Sequence, residues 1–495
     1  MSKTTTGNRT EYHYWDYSFV WTDEHPPRNK YESWIHSCDS LADECNELLN
    51  AFPIPASEKG MNAMRRDRYA LLRDNYESAP KLKELWAEIN TVPDWVDWDQ
   101  IKRGQDVYWR YLLPFTTSLT FQSLLGGMGA IRVGETLART GGFDAKVVRR
   151  RLLETAQHTA QVNSSPEGMK PGGEGHLACV RVRMLHSAVR LKILSLVEQD
   201  PNYYDVSKYG LPVNDLDSFG TIHTFCSTPI WLGLPRQGIY LSEQEITDYI
   251  ALWRLVAFYM GAPTEPFESA AKAKASSEIL LINEFAPTDT GRALAKNILI
   301  GLENTAPAYA SKGYMSALTR LVNGKQLSDE LHIPQTNWYY WVLVWGYCFW
   351  VQLHAKTIAQ IPFIDRRIIV SQRQMFWKTL MDEKTGIGKE TIFDFKYIPS
   401  LKRMTRPGEW KNYSFKRPGV EILSYLGLLS AFAVVVGVSA SLYIVITGAF
   451  PESRALVPML TQPVYQWMAG LGVGSPTSAM PLLGLLQGVR DRVSV

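Results

Sequence analysis

The longest uncharged apolar stretch of the chain lies near its C-terminal end, at residues 422–450. Its sequence, ILSYLGLLSAFAVVVGVSASLYIVITGAF, contains no charged residue and has no polar stripe. A helix of about 20 apolar residues crosses a bilayer core about 30 Å thick, so this stretch is long enough to span a membrane. The pattern predicts a single transmembrane helix. A buried core helix is the alternative, which the length and the missing polar stripe disfavour.

The residues on either side of this stretch predict its orientation. Arg454 is the one basic residue between the stretch and Arg490, whereas the preceding segment is basic. Because positive flanks favour the cytoplasmic side, we expect a cytosolic body on the endoplasmic reticulum or another endomembrane. The apolar, Gly- and Pro-rich tail, residues 451–495, would then be lumenal. The basic residues before the stretch are Lys402, Arg403, Arg406, Lys411, Lys416 and Arg417.

A shorter uncharged run, WYYWVLVWGYCFWVQ, covers residues 338–352. It is too short to be a typical membrane span. The sequence leaves two interpretations open, a buried helix or a surface that enters lipid, and the buried helix is the favoured one.

Between residues 105 and 330, apolar positions recur at intervals of three and four residues, which is typical of amphipathic helices. Glycines and prolines separate the predicted helices, and strand signals are scarce, so we predict an all-α fold. The helices are expected at residues 107–126, 127–140, 144–162, 177–199, 215–232, 242–260, 266–285 and 288–303.

The same pattern divides the chain into segments. We expect an aromatic and Pro-rich helical extension at residues 1–104, a helical core at 105–330, and a helical extension with the basic stretch at 331–418. The predicted transmembrane helix and the tail follow.

Composition excludes several classes of protein. With 495 residues, 45% hydrophobic and 20% charged, the chain can bury a large core. The net charge is only +3 and no Lys/Arg run alternates with aromatic residues, so nucleic acid is not an expected partner. The five cysteines form no C-x-x-C pair, which argues against a disulfide framework and a structural zinc site.

One histidine has a distinctive context, in the predicted helix VRVRMLHSAVRLKIL. Arg183, His186 and Arg190 lie at helical spacing and would share a face. A single imidazole on such a helix can ligate haem iron, and a guanidinium group suits a propionate. A surface or packed histidine is the ordinary alternative, and from spacing alone it is the favoured one.

A second group lies in the preceding helix, AKVVRRRLLETAQHTAQV. Arg151, Thr155 and His158 are spaced to share one face, and Glu154 lies beside them. Upstream, Glu135 could act as a general base if burial or an arginine shifts its pKa. The alternative is an ordinary charged helix face, which the spacing alone favours.

Together these positions form the pattern E…R-x-x-x-T…R-x-x-H-x-x-x-R, which resembles the rubber oxygenase (latex-clearing protein) catalytic domain family. This family includes the membrane-bound oxygenase of fungal mycophenolic acid biosynthesis. The gap of 16 between Glu135 and Arg151 and the gap of 4 between Arg151 and Thr155 agree with the family pattern. The later segments GLPVNDLDSFGTIHTF and YMGAP are also similar. The resemblance covers about residues 105–330.

The resemblance implies a globin-like helical core that binds haem b. By analogy, His186 is the proximal iron ligand and Glu135 is a base near the distal oxygen. Arg151 and Thr155 would shape the distal pocket, and Arg183 and Arg190 would support the haem. The implied reaction is cleavage of a carbon–carbon double bond in a lipophilic isoprenoid or prenylated small molecule with dioxygen.

Glu154 departs from the family pattern, because rubber-cleaving members can carry a lysine just before the threonine. Its charge is wrong for the same distal ligand, so the pocket is expected to be open or water-filled. We therefore predict a haem-dependent oxygenase that uses dioxygen and contacts membrane lipid. The alternatives are a helical membrane scaffold without cofactor and a cofactor-free hydrolase that uses Glu135.

Overall fold

The computed structural model describes residues 2–6, 9–53, 66–411 and 419–449. The chain divides into two compact units, Met1–Leu428 and Leu429–Val495. The predicted boundaries at residues 104 and 330 fall inside the first unit and stay predictions. The predicted tail, residues 451–495, lies outside the described residues, as do Lys416 and Arg417 of the basic stretch.

A small antiparallel sheet of three strands, in the order β1-β2-β3, precedes the helices: β1 (Ser2–Thr6), β2 (Arg9–Tyr14) and β3 (Tyr17–Val20). Tyr12 and Phe19 face each other across β2 and β3, both are buried, and their rings stack with centroids 5.6 Å apart. The all-α prediction is therefore right for most of the described chain and wrong for this hairpin. Aromatic cross-strand pairs stabilise a sheet whose strands are too short for a clear alternating pattern.

The first ten α-helices run from the N-terminal extension into the core. Asp39 begins α1, because its side chain accepts a hydrogen bond from the Ala42 backbone N–H. Gly141, with φ of +70°, ends α6 in the left-handed conformation that glycine adopts readily. The helices are α1 (Ser40–Asn50), α2 (Arg68–Asn75), α3 (Pro80–Ile89), α4 (Trp98–Arg110), α5 (Leu112–Thr117), α6 (Ile131–Thr140), α7 (Val148–Val162), α8 (Pro166–Met169), α9 (Glu174–Val197) and α10 (Val206–Tyr209).

Ten further helices complete the described chain. Two π-helical segments, Ser118–Leu124 and Pro229–Gly233, interrupt the helices predicted at 107–126 and 215–232. The helices are α11 (Asp215–Phe225), α12 (Leu234–Arg236), α13 (Glu243–Tyr259), α14 (Ala270–Asn283), α15 (Asp289–Leu302), α16 (Lys312–Asn323), α17 (Lys325–Glu330), α18 (Trp338–Lys356), α19 (Pro362–Met381) and α20 (Val420–Ala449).

Helices α4 and α13 pack closely in the centre of the first unit. A Cβ atom on Gly104 would lie 2.4 Å from the Asp248 carbonyl oxygen, so only glycine allows this approach. Beside it, Trp109 is fully buried and donates from its indole N–H to the Asn163 carbonyl oxygen at 2.6 Å. This packing fixes the elements from which the functional site is built.

The uncharged run at 338–352 forms α18, which has one buried and one exposed face. Leu343, Val344 and Tyr347 are buried, whereas Trp338 and Trp345 are exposed. The prediction of a buried helix is therefore right for one face only.

In the part of the chain that the structure describes, one helix is long and apolar enough to cross a membrane. It is α20, with a mean hydropathy of 2.0 over Val420–Val438. The first nine residues of α20 belong to the first unit, where Ser424 exchanges a hydrogen bond of 2.8 Å with the Tyr314 hydroxyl.

Candidate functional site

A cavity of about 450 Å³ lies among the core helices of the first unit. This volume is in the range of about 300–1,000 Å³ that is typical of small-molecule and cofactor sites. Its walls are largely apolar and aromatic, and a few charged side chains face it. The apolar residues that line it include Leu119, Phe143, Trp231, Trp253 and Phe376.

Helix α7 contributes a polar face to this cavity. Arg151, Thr155 and His158 all line it, as the helical spacing predicts. The Arg151 guanidinium and the Thr155 hydroxyl lie 3.5 Å apart, and burial lowers the pKa of Arg151. The cavity therefore contains a partly desolvated cation beside a hydroxyl group.

Helix α9 brings His186 to the same cavity, next to Val182, Leu185 and Val189. Burial, reinforced by Arg151 and Arg190, lowers the pKa of His186 to about 3, so the imidazole is neutral at physiological pH. Among the described residues, no hydrogen-bonding partner for this ring is found. A neutral, uncommitted imidazole on an apolar wall is able to donate a nitrogen lone pair to a metal.

Two other histidines line the cavity, and both are already bonded. His158 lies 3.6 Å from the Cys179 sulfur, and burial lowers its pKa to about 4. His223 bonds Ser227 at 2.6 Å and Ser276 at 3.2 Å. His186 is therefore the cavity histidine that is freest to bind a ligand.

Glu154 lines the cavity with its carboxylate held by two cations. Its Oε1 lies 3.3 Å from Arg150 Nε and 3.2 Å from Lys396 Nζ, and Lys396 also contacts Asp394 at 3.1 Å. Lys396 and Tyr397 line the cavity too. The segment after α19 thus closes this side of the cavity with an ion-pair network, and Glu154 is a wall residue held in that network.

The structure places Arg183 and Arg190 away from the cavity, at the interface between α9 and the N-terminal extension. Arg183 forms two bonds with Asp39, at 2.6 and 2.9 Å, and one with Glu88 at 2.7 Å. Arg190 forms two bonds with Asp43, at 2.8 and 2.6 Å. Protein carboxylates thus occupy both guanidinium groups, and their support of a haem stays a prediction.

Glu135 lies on α6 and is not among the residues that line the cavity, although its neighbour Thr136 is. Its Oε2 accepts a hydrogen bond of 2.7 Å from Arg139, one helical turn away. The Arg139 guanidinium also lies over the Tyr204 ring, 5.1 Å from its centroid. The carboxylate of Glu135 is thus engaged in an ion pair, and its role as a base stays a prediction.

Asp217 lines the cavity, which the sequence pattern did not predict. It lies in the first turn of α11, where Asn214 caps the helix by accepting from the Asp217 backbone N–H at 2.8 Å. Its Oδ2 is buried and has no hydrogen-bond partner among the described residues. Burial raises the pKa of Asp217 to about 7, against the opposite influence of Arg132. The cap motif N-D-L-D predicts the helix start, but not which side chain faces the cavity.

The two π-helical segments form another wall, which the sequence pattern did not predict. Gln122 and Trp231, one from each segment, line the cavity. A Cβ atom on Gly233 would lie 1.8 Å from the Ser118 hydroxyl, so the segments meet at a glycine. Single π turns inside helices occur often at functional sites.

The N-terminal hairpin closes the cavity at another side, where Trp15 and Tyr17 line it. The Tyr17 hydroxyl donates to Glu278 Oε1 at 2.7 Å, and Glu278 Oε2 bonds His25 at 2.8 Å. The cavity wall therefore includes residues from both ends of the first unit.

Comparisons with known proteins add three findings. Residues 109–353 match the family described as ER-bound oxygenase mpaB/B'/Rubber oxygenase, catalytic domain. The fold is similar to that of latex clearing protein in its closed state, with a TM-score of 0.50 and 18% identity, over 68% of this chain and 91% of that one. A segment of 53 residues is 42% identical to aurantioclavine synthase cnsA of Penicillium expansum; it spans 11% of each protein.

Proposed function

Because residues 109–353 make this chain a member of the mpaB and rubber oxygenase catalytic-domain family, we propose that it is a haem-dependent oxygenase held on a membrane by α20. The family and the predominantly helical fold support an oxygenase role. The observation that carries the haem proposal is His186, whose neutral ring lines an apolar cavity and is uncommitted to any described neighbour.

The cavity residues fit a haem better than a bare metal ion. Among the described residues, no group of three or more His, Cys, Asp or Glu side chains is placed to hold a metal. Haem would need one protein ligand for its iron, and the His186 imidazole would supply that ligand. When bound, haem b supplies the iron at which dioxygen is activated. Arg151 would then balance negative charge in the cavity, and Thr155 would donate a hydrogen bond there.

The substrate that we propose is a lipophilic isoprenoid or prenylated small molecule. The apolar and aromatic walls, such as Trp231 and Phe376, can bury a hydrocarbon chain, since apolar burial yields about 25 cal/mol per Å². The few polar groups would orient the reacting double bond. A membrane anchor would keep the cavity near the bilayer in which such a substrate concentrates.

We propose that Arg183 and Arg190 contribute as positioning residues. Their bonds to Asp39 and Asp43 fix the rotation of α9, and thereby the direction of the His186 ring. Arg183 and Arg190 would thus support the haem indirectly, through the position of His186, and not by contacting it.

The test of haem binding is an absorption spectrum of the full chain in detergent after expression with haem supplementation. Wild-type protein should show a Soret band, and His186→Ala should lose it. His223→Gln is the matched control, because His223 also lines the cavity but is hydrogen-bonded, and it should keep the band. A full Soret band in His186→Ala would refute the ligand assignment. Absence of haem from the wild type would favour the scaffold alternative.

Two carboxyl groups compete for the role of base. Glu135 fits the family pattern but is bonded to Arg139, whereas Asp217 has a free oxygen in the cavity wall. General base catalysis contributes about 10²–10⁴-fold to a rate. We expect Asp217→Asn to lower turnover by at least about 10²-fold, and Glu135→Gln by less. Oxygen consumption with a panel of polyprenyl and prenylated aromatic compounds would measure both, and the reverse order would assign the role to Glu135.

A further inference from the structure

Helix α18 is apolar on all sides, yet the first unit covers only one of them. Its residues before His354 include no charged side chain. Leu343, Val344 and Tyr347 pack into the core, while Trp338 and Trp345 are 76% and 61% exposed. A helix that is apolar all round is normally covered all round. The exposed face therefore needs a further partner.

The first turns of α20 pack directly beside this face. A Cβ atom on Gly346 would lie 2.3 Å from the Ser424 carbonyl oxygen, and one on Gly427 would lie 2.0 Å from the Gly346 carbonyl oxygen. Glycines that allow two backbones to approach this closely are typical of helix pairs in membranes. Tyr339 and Tyr425 join the two helices through their hydroxyl groups.

The two helices together present a continuous apolar surface. Ile422, Tyr425 and Leu426 of α20 are exposed next to the exposed side of α18. These three residues lie at the start of the stretch, residues 422–450, that is predicted to cross the bilayer. The outer face of α18 is thus contiguous with the start of the membrane segment, and indole rings such as Trp338 and Trp345 favour the membrane–water boundary.

Helix α19, which follows α18 in the chain, carries exposed basic residues. Arg366 and Arg367 of α19 are exposed, and the one acidic residue of that helix, Asp365, is bonded to Arg110 at 2.9 and 2.8 Å. Exposed basic residues near a bilayer are attracted to anionic headgroups.

We propose that the outer face of α18 is a second membrane contact, embedded in the headgroup and outer acyl region beside α20. The contact rests on the proposed membrane location of α20 and is independent of the oxygenase activity. It would hold the first unit against the bilayer instead of leaving it free on a tether.

The experiment uses the full chain in vesicles that contain phosphatidylcholine and phosphatidylserine. A fluorescent amino acid replaces Trp345, and lipids with brominated acyl chains serve as the quencher. Tyr240, which is 76% exposed, provides the control position outside the apolar surface, and Val435 of α20 reports the anchor itself. We expect position 345 to be quenched at least half as strongly as position 435, and position 240 to be quenched several-fold less.

Any other result would refute the membrane contact of α18, and each result has a different explanation. Quenching at 435 with none at 345 would show that the anchor inserts but α18 stays in water. No quenching at 435 or 345 would refute the membrane location of both helices, while leaving the haem test unaffected. Protection of position 345 from brominated lipid and from aqueous iodide would mean that a protein, such as a second copy of this chain, covers the face.

Discussion

Among the single residues of the site, Asp217 makes stability depend on pH, because its carboxyl is buried in the cavity wall and one oxygen has no hydrogen-bond partner among the described residues. The folded protein holds the proton with a pKa of about 7, whereas the ordinary value is 3.8. The folded state therefore binds this proton more tightly than the unfolded state. Stability from this group is fully present below about pH 4 and is lost as the pH rises to about 7.

Asp217→Asn should remove this dependence, since asparagine stays neutral. From pH 4 to pH 8, we expect the free energy of unfolding of the variant to rise relative to that of the wild type by roughly 4 kcal/mol, at about 1.4 kcal/mol per unit of pKa. Chemical denaturation at several pH values measures the difference. Asp205→Asn is the control. The hydrogen bond from Ser207 lowers the pKa of this exposed aspartate, so its contribution to stability changes with pH in the opposite direction. A stability difference between Asp217→Asn and the wild type that is the same at all pH values would show that the pKa of Asp217 is not raised.

Asp39 is important for stability in two ways. It caps α1, and it forms a bidentate ion pair with the buried Arg183. Asp39→Ala leaves the guanidinium with Glu88 alone, and we expect a loss of about 3–5 kcal/mol in the free energy of unfolding. Asp74→Ala breaks the exposed pair with Arg73 and should leave stability nearly unchanged, because water screens that pair. Equal effects of the two variants would show that the buried pair is not structural.

The sequence predicts the arrangement of site residues when all of them lie on one helix. Arg151, Thr155 and His158 share a face because α7 is regular, and the spacing predicts this. Asp217 and the partners of Arg183 depend on how distant segments pack, since Asp39 lies 144 positions before Arg183. No local pattern contains that information.

At the scale of secondary structure, the meeting of the two π-helical segments shapes the cavity. A π-helical segment has about one more residue per turn than an α-helix, but its apolar sequence looks like that of an ordinary helix. The predicted helices at 107–126 and 215–232 therefore include these segments without a break. The predicted helix at 144–162 agrees better with α7, which begins at Val148 and ends at the Asn163 C-cap. Single residues mark the helix end, so the sequence predicts it. The π turns lie where two distant segments pack together at Gly233, and no local pattern predicts that contact.

Gly233→Ala tests this wall. The added methyl group would collide with Ser118 in the facing segment, and we expect overpacking to cost about 1–3 kcal/mol. Thermal unfolding measures the effect. Gly127, which lines the cavity outside these two segments, provides the control: no atom lies within 4 Å of its added Cβ, so Gly127→Ala should be nearly neutral. Equal melting temperatures for both variants would show that the segments can separate freely.

For the whole molecule, the end of the first unit decides where the chain can be shortened. The unit ends at Leu428, and the first turns of α20 bond to its core through Ser424 with Tyr314 and Glu421 with Ser311. The sequence predicts a helix from residue 422 but not that its start belongs to the body, because apolar content alone does not distinguish protein from lipid as the neighbour.

A chain that ends at Leu428 should therefore keep the stability of the full chain and, under the proposed function, should still bind haem. A chain that ends at residue 418 loses the partners of Tyr314 and Ser311, and we expect it to be less stable by roughly 1–3 kcal/mol. Melting temperatures and the Soret band of both truncations provide the measurement. Identical melting of the two would place the start of α20 outside the core.

Residues from both ends of the first unit enclose the cavity, and this determines when the cavity can form during synthesis. Trp15 and Tyr17 leave the ribosome early, whereas Lys396 and Tyr397 emerge only shortly before α20. Domains generally fold as units as they emerge, so a closed cavity cannot exist until nearly the whole body has been made. Under the proposed function, haem would therefore be acquired at about the time when the apolar α20 appears. Haem supply and membrane targeting of the nascent chain would then form a single late step.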